Sequence, residues 1–293
     1  MLLSIIIVTY ESEDFISKCL HTIIPQIQDF KSEVFVVDNA SADRTCEIVK
    51  KIQAKVPNLI LIENDENVGF ALANNIAIEK SKGDFLFFIN PDIELLPEAI
   101  KKLICFFKSE ENIGAAAPQL LNPDGTIQPS CRRFPNYWSI FCEFTGLSHL
   151  FPKTNTFNYW KMGDFDHKNQ ADVEQLMGAA IFTSRGVIEK VGKFHEHFKM
   201  FFNDVDWCKR VSDAGMRLVY FPEARAIHHL GASVKKKKSK MVLQSHIDFF
   251  HYFEKHFNKI WHQPMNLIVG FLLFVSALIR IIGLKIKGLI FKK

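Results

Sequence analysis

Leu3-Ser4-Ile5-Ile6-Ile7-Val8-Thr9-Tyr10-Glu11 and Val34-Phe35-Val36-Val37-Asp38-Asn39-Ala40-Ser41 together decide the fold. Each is a short apolar run that turns polar within one residue, as a strand buried on both faces does where it leaves its sheet. Residues 14–24 between them have helical spacing, and the alternation continues outward. A helix is expected over 43–55, a strand over 59–63, a helix over 71–80, a strand over 85–89 and a helix over 97–108. Strands alternating with helices through short connections make an α/β fold, with a mostly parallel central sheet flanked by helices. Ligands of such sheets sit at the carboxyl ends of the strands.

Those ends carry Thr9-Tyr10-Glu11, Asp38-Asn39-Ala40-Ser41, Asn67-Val68-Gly69-Phe70 and Asn90-Pro91-Asp92. No GxGxxG follows the first strand and no GxxxxGK[ST] occurs, so the dinucleotide and P-loop readings lose their main support. A polar rim with carboxylates suits a base and ribose held by hydrogen bonds and a diphosphate held through a cation. Asp38 reads either as an acceptor for such a ligand or as a turn aspartate entering the next helix. Asp92 reads either as a cation ligand, since Mg²⁺ and Mn²⁺ take few carboxylates beside phosphate and water, or as a turn residue after Pro91.

The chain has 293 residues, 48% of them hydrophobic, and a net charge of +4. That share excludes a disordered chain, and the mild charge gives no argument for nucleic acid. Six scattered cysteines, without a CxxC pair, read as free thiols in a reducing cytosol. The apolar N-terminus has no basic flank and turns polar after about eight residues, so it reads as a strand and not as a leader.

Beyond 113–117 the pattern changes. Residues 122–175 show no sustained periodicity and read as an irregular excursion; regularity returns at 175–183, after Asp204 and at 218–221. A lysine run at 235–238 precedes an amphipathic stretch, 241–257, and an apolar one, 265–291. Residues 235–293 hold 12 Lys or Arg and 2 Asp or Glu, a net +10, which leaves −6 on residues 1–234. The expected division is therefore a catalytic domain, 1–234, and a basic, apolar membrane-association region, 235–293. A span needs about twenty apolar residues, and residues 265–284 reach that only by including Arg280. With lysines on both sides, a re-entrant or in-plane helix on the cytoplasmic face of the membrane is favoured over a span. A helix buried in a homo-oligomer interface is the alternative.

Six blocks, in order over residues 4–233, resemble the family 2 glycosyltransferases with the GT-A fold, and among them the bacterial rhamnosyltransferase-like branch. They are Ser4–Tyr10, Val36–Ser41, Asn67–Asn75, Phe88–Asp92, Phe201–Asp206 and Ile227–Ser233. The resemblance implies an inverting transfer from a nucleotide-diphosphate sugar, with a dTDP-linked deoxysugar such as rhamnose suggested, to a hydroxyl of a glycan or lipid-linked glycan in cell-surface polysaccharide synthesis. Thr9, Tyr10, Glu11 and Asp38 would frame the nucleotide; Asn67, Gly69 and Phe70 would lie under the nucleotide-sugar. Asn90-Pro91-Asp92 stands in place of the family's Asp-x-Asp metal motif, so that Asp92, with His228 or His229, would hold a divalent cation, Mg²⁺ or Mn²⁺. Spacing to Ser233 favours His228. Asn203-Asp204 stands where the family shows Glu-Asp, which makes Asp204 the candidate general base. Arg132, Gly178, Asp206 and Arg210 are candidate contacts to acceptor or diphosphate, and Arg210 is also one helical turn from Asp206 and able to pair with it. A nucleotidyltransferase is one rival, and it wants a basic Gly-rich loop that residues 10–15 do not offer. A non-catalytic scaffold subunit of a polysaccharide assembly complex is the other, prompted by Asn at positions 90 and 203.

Overall fold

The computed structural model describes residues 1–229 and 238–290, with the backbone alone for Lys238 and residues 285–290. The end of the sixth block, Leu230 to Ser233, and the 235–238 lysine run except for the Lys238 backbone lie outside the described residues.

The chain opens with β1 (Leu2–Thr9), α1 (Ile16–Ile23), β2 (Lys31–Asp38), α2 (Thr45–Gln53), β3 (Leu59–Glu63), α3 (Phe70–Lys80) and β4 (Phe85–Ile89). These are the predicted elements, shifted by a few residues at their ends. β5 (Ile93–Leu95), α4 (Ala99–Ser109) and β6 (Ile113–Leu121) come after them. Next are β7 (Cys131–Arg132), α5 (Tyr137–Thr145), α6 (Leu147–Leu150), β8 (Ala171–Asp172), β9 (Gln175–Leu176) and β10 (Ala180–Ser184). α7 (Arg185–Val191), α8 (Asn203–Asp213) and β11 (Arg217–His228) complete the body, and α9 (Lys238–His256) and α10 (Gln263–Ile290) end the chain.

The main sheet runs β3-β2-β1-β4-β10-β6-β11-β5, with β8 beside β11. β3, β2, β1 and β4 are parallel. β10 is antiparallel to β4 and β6, and β11 is parallel to β6 but antiparallel to β5 and β8. Six of these nine described strands thus point the same way, the mostly parallel sheet expected. Two non-local pairings bring distant residues to the strand ends. β10 lays residues 178–180 beside the end of β4, where the Asn90 amide donates to the Ala179 carbonyl at 2.8 Å. β5 pairs His228 with Ile93, which brings the end of β11 to Asp92.

Alternation along each strand divides the core between the two faces of the sheet. Leu3, Ile5, Ile7, Val34 and Val36 pack on α1, α2 and α4; Ile6, Phe35, Val37, Leu86 and Phe88 pack on α3, α7 and α8. A third cluster joins Ile140 of α5, Phe198, Val205 of α8, Phe249, Tyr252 and Phe253 of α9, and Val269 and Leu273 of α10. α9, which the sequence assigns to a separate C-terminal region, therefore shares a core with the helix that bears Asp204.

The excursion is less irregular than its pattern suggests. α5 starts in a capping box: the Asn136 side chain accepts from the Ser139 amide at 2.9 Å, and Ser139 Oγ accepts from the Asn136 amide at 2.9 Å. Tyr137-Trp138-Ser139-Ile140-Phe141 shows no helical period because α5 buries Ile140 against α10 while Trp138 and Phe141 are exposed. α9 and α10 pack as a hairpin through a short 3₁₀ turn, Ile260–His262. Of the described helices, α10 with the turn before it is long and apolar enough to cross a membrane, and Leu267, Phe271, Phe274 and Ile279 are exposed on it.

Candidate active site

The strand ends assemble a rim. β1 and β2 are in register at Thr9 and Asp38. Asp38 is 1% exposed; Thr9 Oγ1 donates to its Oδ1 at 2.8 Å, and Ser41 donates its hydroxyl to Oδ1 at 2.6 Å and its amide to Oδ2 at 2.8 Å. Asp38 is thus a turn aspartate as well as a rim residue. Its carboxylate shapes the loop, and the Glu11 amide closes that loop by donating to Ser41 Oγ at 2.8 Å. Glu11 (φ +48°) and Ala40 (φ +58°) are both non-glycine residues in the left-handed region, strain of the sort that collects at functional sites. Tyr10 lies between Thr9 and this turn, half-buried.

Asn39 ties the rim to the next loop, donating to the Gly69 carbonyl at 3.2 Å and accepting from Asn64 at 2.9 Å. Asn67 Oδ1 accepts from the Gly69 amide at 3.0 Å. Gly69 has φ +87°, and a Cβ there would stand 2.6 Å from the Lys199 carbonyl oxygen. The close approach that needs glycine is therefore to the 199 backbone, which also accepts from the Phe70 amide at 3.2 Å. The segment leading into α8 rests on the N-terminus of α3 here.

Across the sheet Asp92 and His228 meet, with Asp92 Oδ1 3.5 Å from His228 Nε2. His228 Nδ1 lies 2.7 Å from Gln128 Oε1, which with the amide oriented so accepts the Nδ1 proton and turns the Nε2 edge of the ring to Asp92. At 3.5 Å the two atoms lie beyond an ordinary hydrogen bond, and they are the side-chain atoms here that would be able to share a cation. Among the described residues no group of three His, Cys, Asp or Glu side chains gathers to hold a metal, and the remaining ligands would be diphosphate and water. His229 diverges: its Nε2 pairs with Glu94 Oε1 at 2.8 Å, and its ring lies against Phe15. Asn90 is half-buried between Asp92 and Ala179.

Asp204, at the start of α8, closes the rim. Its Oδ2 accepts from the Gly178 amide at 2.8 Å and its Oδ1 from the Val205 amide at 2.9 Å. Burial raises its pKa, opposed by the hydrogen bonds of Gly178 and Val205 and by Gln175. A carboxylate made more basic by its surroundings is a better proton acceptor near neutral pH. At Gly178, two residues before β10, a Cβ would sit 3.2 Å from Asp204 Cβ, a tight approach that glycine relieves. Arg132, paired with Gln175 across β7 and β9, lies within the field of Asp204; burial lowers its pKa against the pull of Cys131, Asp204 and Glu143. The Asn203 amide is buried with neither end hydrogen-bonded among the described residues.

Asp206 and Arg210 do not join the rim, which corrects the expectation of an acceptor or diphosphate contact. Asp206 is fully buried with Lys255 Nζ at 2.7 Å, His256 Nε2 at 2.9 Å and Arg210 Nε at 3.1 Å. Burial pushes its carboxyl up, but the His256 hydrogen bond, Arg210 and Lys255 outweigh that and hold it at about 2. The i,i+4 pair is present within α8, and Lys255 and His256 of α9, meeting the same carboxylate, lock α8 to α9. Arg210 spends its other nitrogens on the carbonyls of Val191, Gly192 and Lys193. Sequence reasoning missed Gln128, Ser41 and Gln175 as site-shaping residues. Ser41 was within reach, as a serine three residues after a strand-end aspartate; Gln128 lies 100 residues from His228 with no pattern around it.

Known proteins resemble this chain to different extents. Over 244 residues the chain is 24% identical to the N-acetylglucosaminyl-diphospho-decaprenol L-rhamnosyltransferase of Mycobacterium tuberculosis, covering 80% of this chain and 78% of that one. The fold is similar to that of the mannosyltransferase PcManGT from Pyrobaculum calidifontis, solved with GDP-Man and Mn²⁺, at TM-score 0.60 and 18% identity, over 95% of this chain and 74% of that one. It is also similar to S. aureus TarS 1-349, at TM-score 0.55 and 18% identity, over 94% and 81%. Residues 4–167, which carry β1 to β4 and both Asp38 and Asp92, match the family model described as Glycosyl transferase family 2. With a GT-A-like sheet and a family match over more than half its length, the chain belongs to glycosyl transferase family 2, a family of sugar-transferring enzymes.

Proposed function

We propose that this chain transfers a sugar, with inversion, from a nucleotide-diphosphate sugar to a hydroxyl of a lipid-linked glycan at the cytoplasmic face of a membrane. The observation that carries the reading is the linkage around one rim. Thr9 and Asp38 end adjacent strands, Asn90 hydrogen-bonds to Ala179, and Gly178 hydrogen-bonds to Asp204. Base, ribose and diphosphate binding thus lie beside a proton acceptor. The mycobacterial relative's name specifies a lipid-diphosphate acceptor and a rhamnosyl donor, which supports that substrate class here.

In this reading the loop from Thr9 to Glu11 and the Asp38 turn hold the nucleotide, and Asn67, Gly69 and Phe70 border the sugar. Asp92 and His228 hold a divalent cation, as the Mn²⁺ in the PcManGT complex supports; it would neutralise charge developing on the leaving diphosphate. Asp204 takes the proton of the acceptor hydroxyl as its oxygen bonds to the anomeric carbon and the bond to the diphosphate oxygen breaks on the opposite face. One carboxylate base suffices for such an in-line displacement. The exposed apolar side of α10 rests in the membrane interface and keeps the rim near a lipid-linked acceptor. Incubation with a panel of nucleotide-sugars, with Mg²⁺ or Mn²⁺ and then with chelator, tests the reading. Slow cation-dependent hydrolysis of one donor is expected and identifies the sugar; no turnover of any donor overturns it.

A further inference from the structure

The segment that carries Asp204 into the rim is held from a distant part of the chain. Asp248, fully buried in the middle of α9, accepts at Oδ2 from the amides of Met200 (3.2 Å) and Phe201 (2.9 Å). Gln244, one turn earlier on α9, donates to its other oxygen at 2.8 Å and so fixes the carboxylate's orientation. The next residue on α9, Phe249, stacks on Phe202 with ring centroids 4.4 Å apart. Phe202 has φ +61°, a conformation disfavoured for a bulky residue, and its carbonyl accepts the Asp206 amide in the first turn of α8. A backbone in that state persists only where its surroundings over-determine it. Asp204 lies two residues further on.

We infer that Asp248 is a positioning residue for transfer: from α9 it pins the 200–202 backbone and thereby sets where the Asp204 carboxylate meets the acceptor hydroxyl. This rests on Asp204 being the base. Asp248 acts through the 200–202 backbone that leads directly to Asp204, so its loss falls chiefly on the rate of the chemical step; the donor loop meets the same segment only at the Lys199 carbonyl, which accepts from the Phe70 amide.

Asp248→Asn keeps the shape but removes the charge; Asp248→Ala leaves two buried amides without an acceptor. Misplacing a reacting group by about 1 Å costs roughly a hundredfold. The expected loss in kcat is about tenfold for Asn and about a hundredfold for Ala, with the KM and calorimetric Kd for donor within about twofold of the parent. Glu254→Gln, an exposed carboxylate change on the same helix, is expected to leave kcat unchanged. Hydrogen exchange supplies a readout independent of turnover: the Met200 and Phe201 amides are protected in the parent chain and exchange faster in Asp248→Asn. The inference is overturned by a kcat within twofold of the parent in Asp248→Ala, by a donor Kd that weakens in step with kcat, or by retained protection of both amides in Asp248→Asn. Failure of the parent chain to turn over any nucleotide-sugar would instead sink the transferase reading, and the exchange experiment would still decide whether Asp248 holds the segment.

Discussion

The two sides of the rim, one proposed to hold the donor and the other the base, are built in different ways. Where the nucleotide is proposed to sit, Asp38 is held by Thr9 in the adjacent strand and by Ser41 three residues on, both from the first two β-α units. On the base side, Asp204 is seated by Gly178, and the segment before it is pinned by Asp248, 47 residues from Phe201. Local parts repeat wherever the same strand pattern recurs. Distant parts tie the proposed base to the C-terminal hairpin, so a change in α9 reaches Asp204 first and the donor loop only through the Lys199 carbonyl beside Gly69 and Phe70.

The largest break should come from Asp204→Asn, which keeps the hydrogen-bonded shape but not the basicity. Transfer is expected to fall by about a thousandfold or more while nucleotide-sugar binding persists in calorimetry, and full activity would end its assignment as base. Next is the lock between α8 and α9. Asp206→Ala strands Arg210, Lys255 and His256 around a vacated site, and the expected loss is roughly 3–5 kcal/mol in denaturant unfolding. Asp92→Ala acts on the donor side alone: cation-dependent nucleotide affinity should weaken by at least about tenfold, and equal affinity with and without the carboxylate would remove it from the cation site.

A smaller effect is legible in pH. The Asp206 carboxyl is held at about 2 against an ordinary 3.8, so the folded state favours its charged form. Its contribution, about 2 kcal/mol, is complete above roughly pH 4 and is lost as pH falls from about 4 to about 2. Asp206→Asn should flatten the melting temperature over that window relative to the parent. The mildest change for the fold is Phe271→Ser with Phe274→Ser on the exposed side of α10. The pair should leave the vesicle fraction in flotation with melting unchanged; continued flotation would place the anchor elsewhere. Deleting everything from residue 265 is a poorer test, because Val269 and Leu273 belong to the cluster that also holds Val205.

The first half of the fold was legible because β1, β2 and β4 end in buried apolar runs closed by turn chemistry, and β3, a short apolar run at the sheet edge, repeats their spacing between helical stretches. Asp38 and Asp92 stood out for the same local reason, as carboxylates placed where a strand ends, whereas Asp204 was marked only by its place in a block that resembles the family. Other features were not legible. α5 lacks a helical period because it carries apolar residues both on the side that packs on α10 and, with Trp138 and Phe141, on its exposed side. Asp206 and Asp204 sit two residues apart with the same side-chain chemistry, yet one is a buried lock and the other a rim residue.

What the sequence by itself determined is the order of strands and helices, the residues at the strand ends and the split between an acidic body and a basic, apolar tail. All of these derive from hydrophobic period and charge over windows of a dozen residues. The tertiary structure alone decided which of His228 and His229 faces Asp92, that Gly69 makes room for Lys199, and that α9 reaches back to α8. Those outcomes depend on pairings between segments tens to more than a hundred residues apart. The free energy of such pairings comes from burial and hydrogen bonds formed only when the whole sheet closes, and no local pattern carries it.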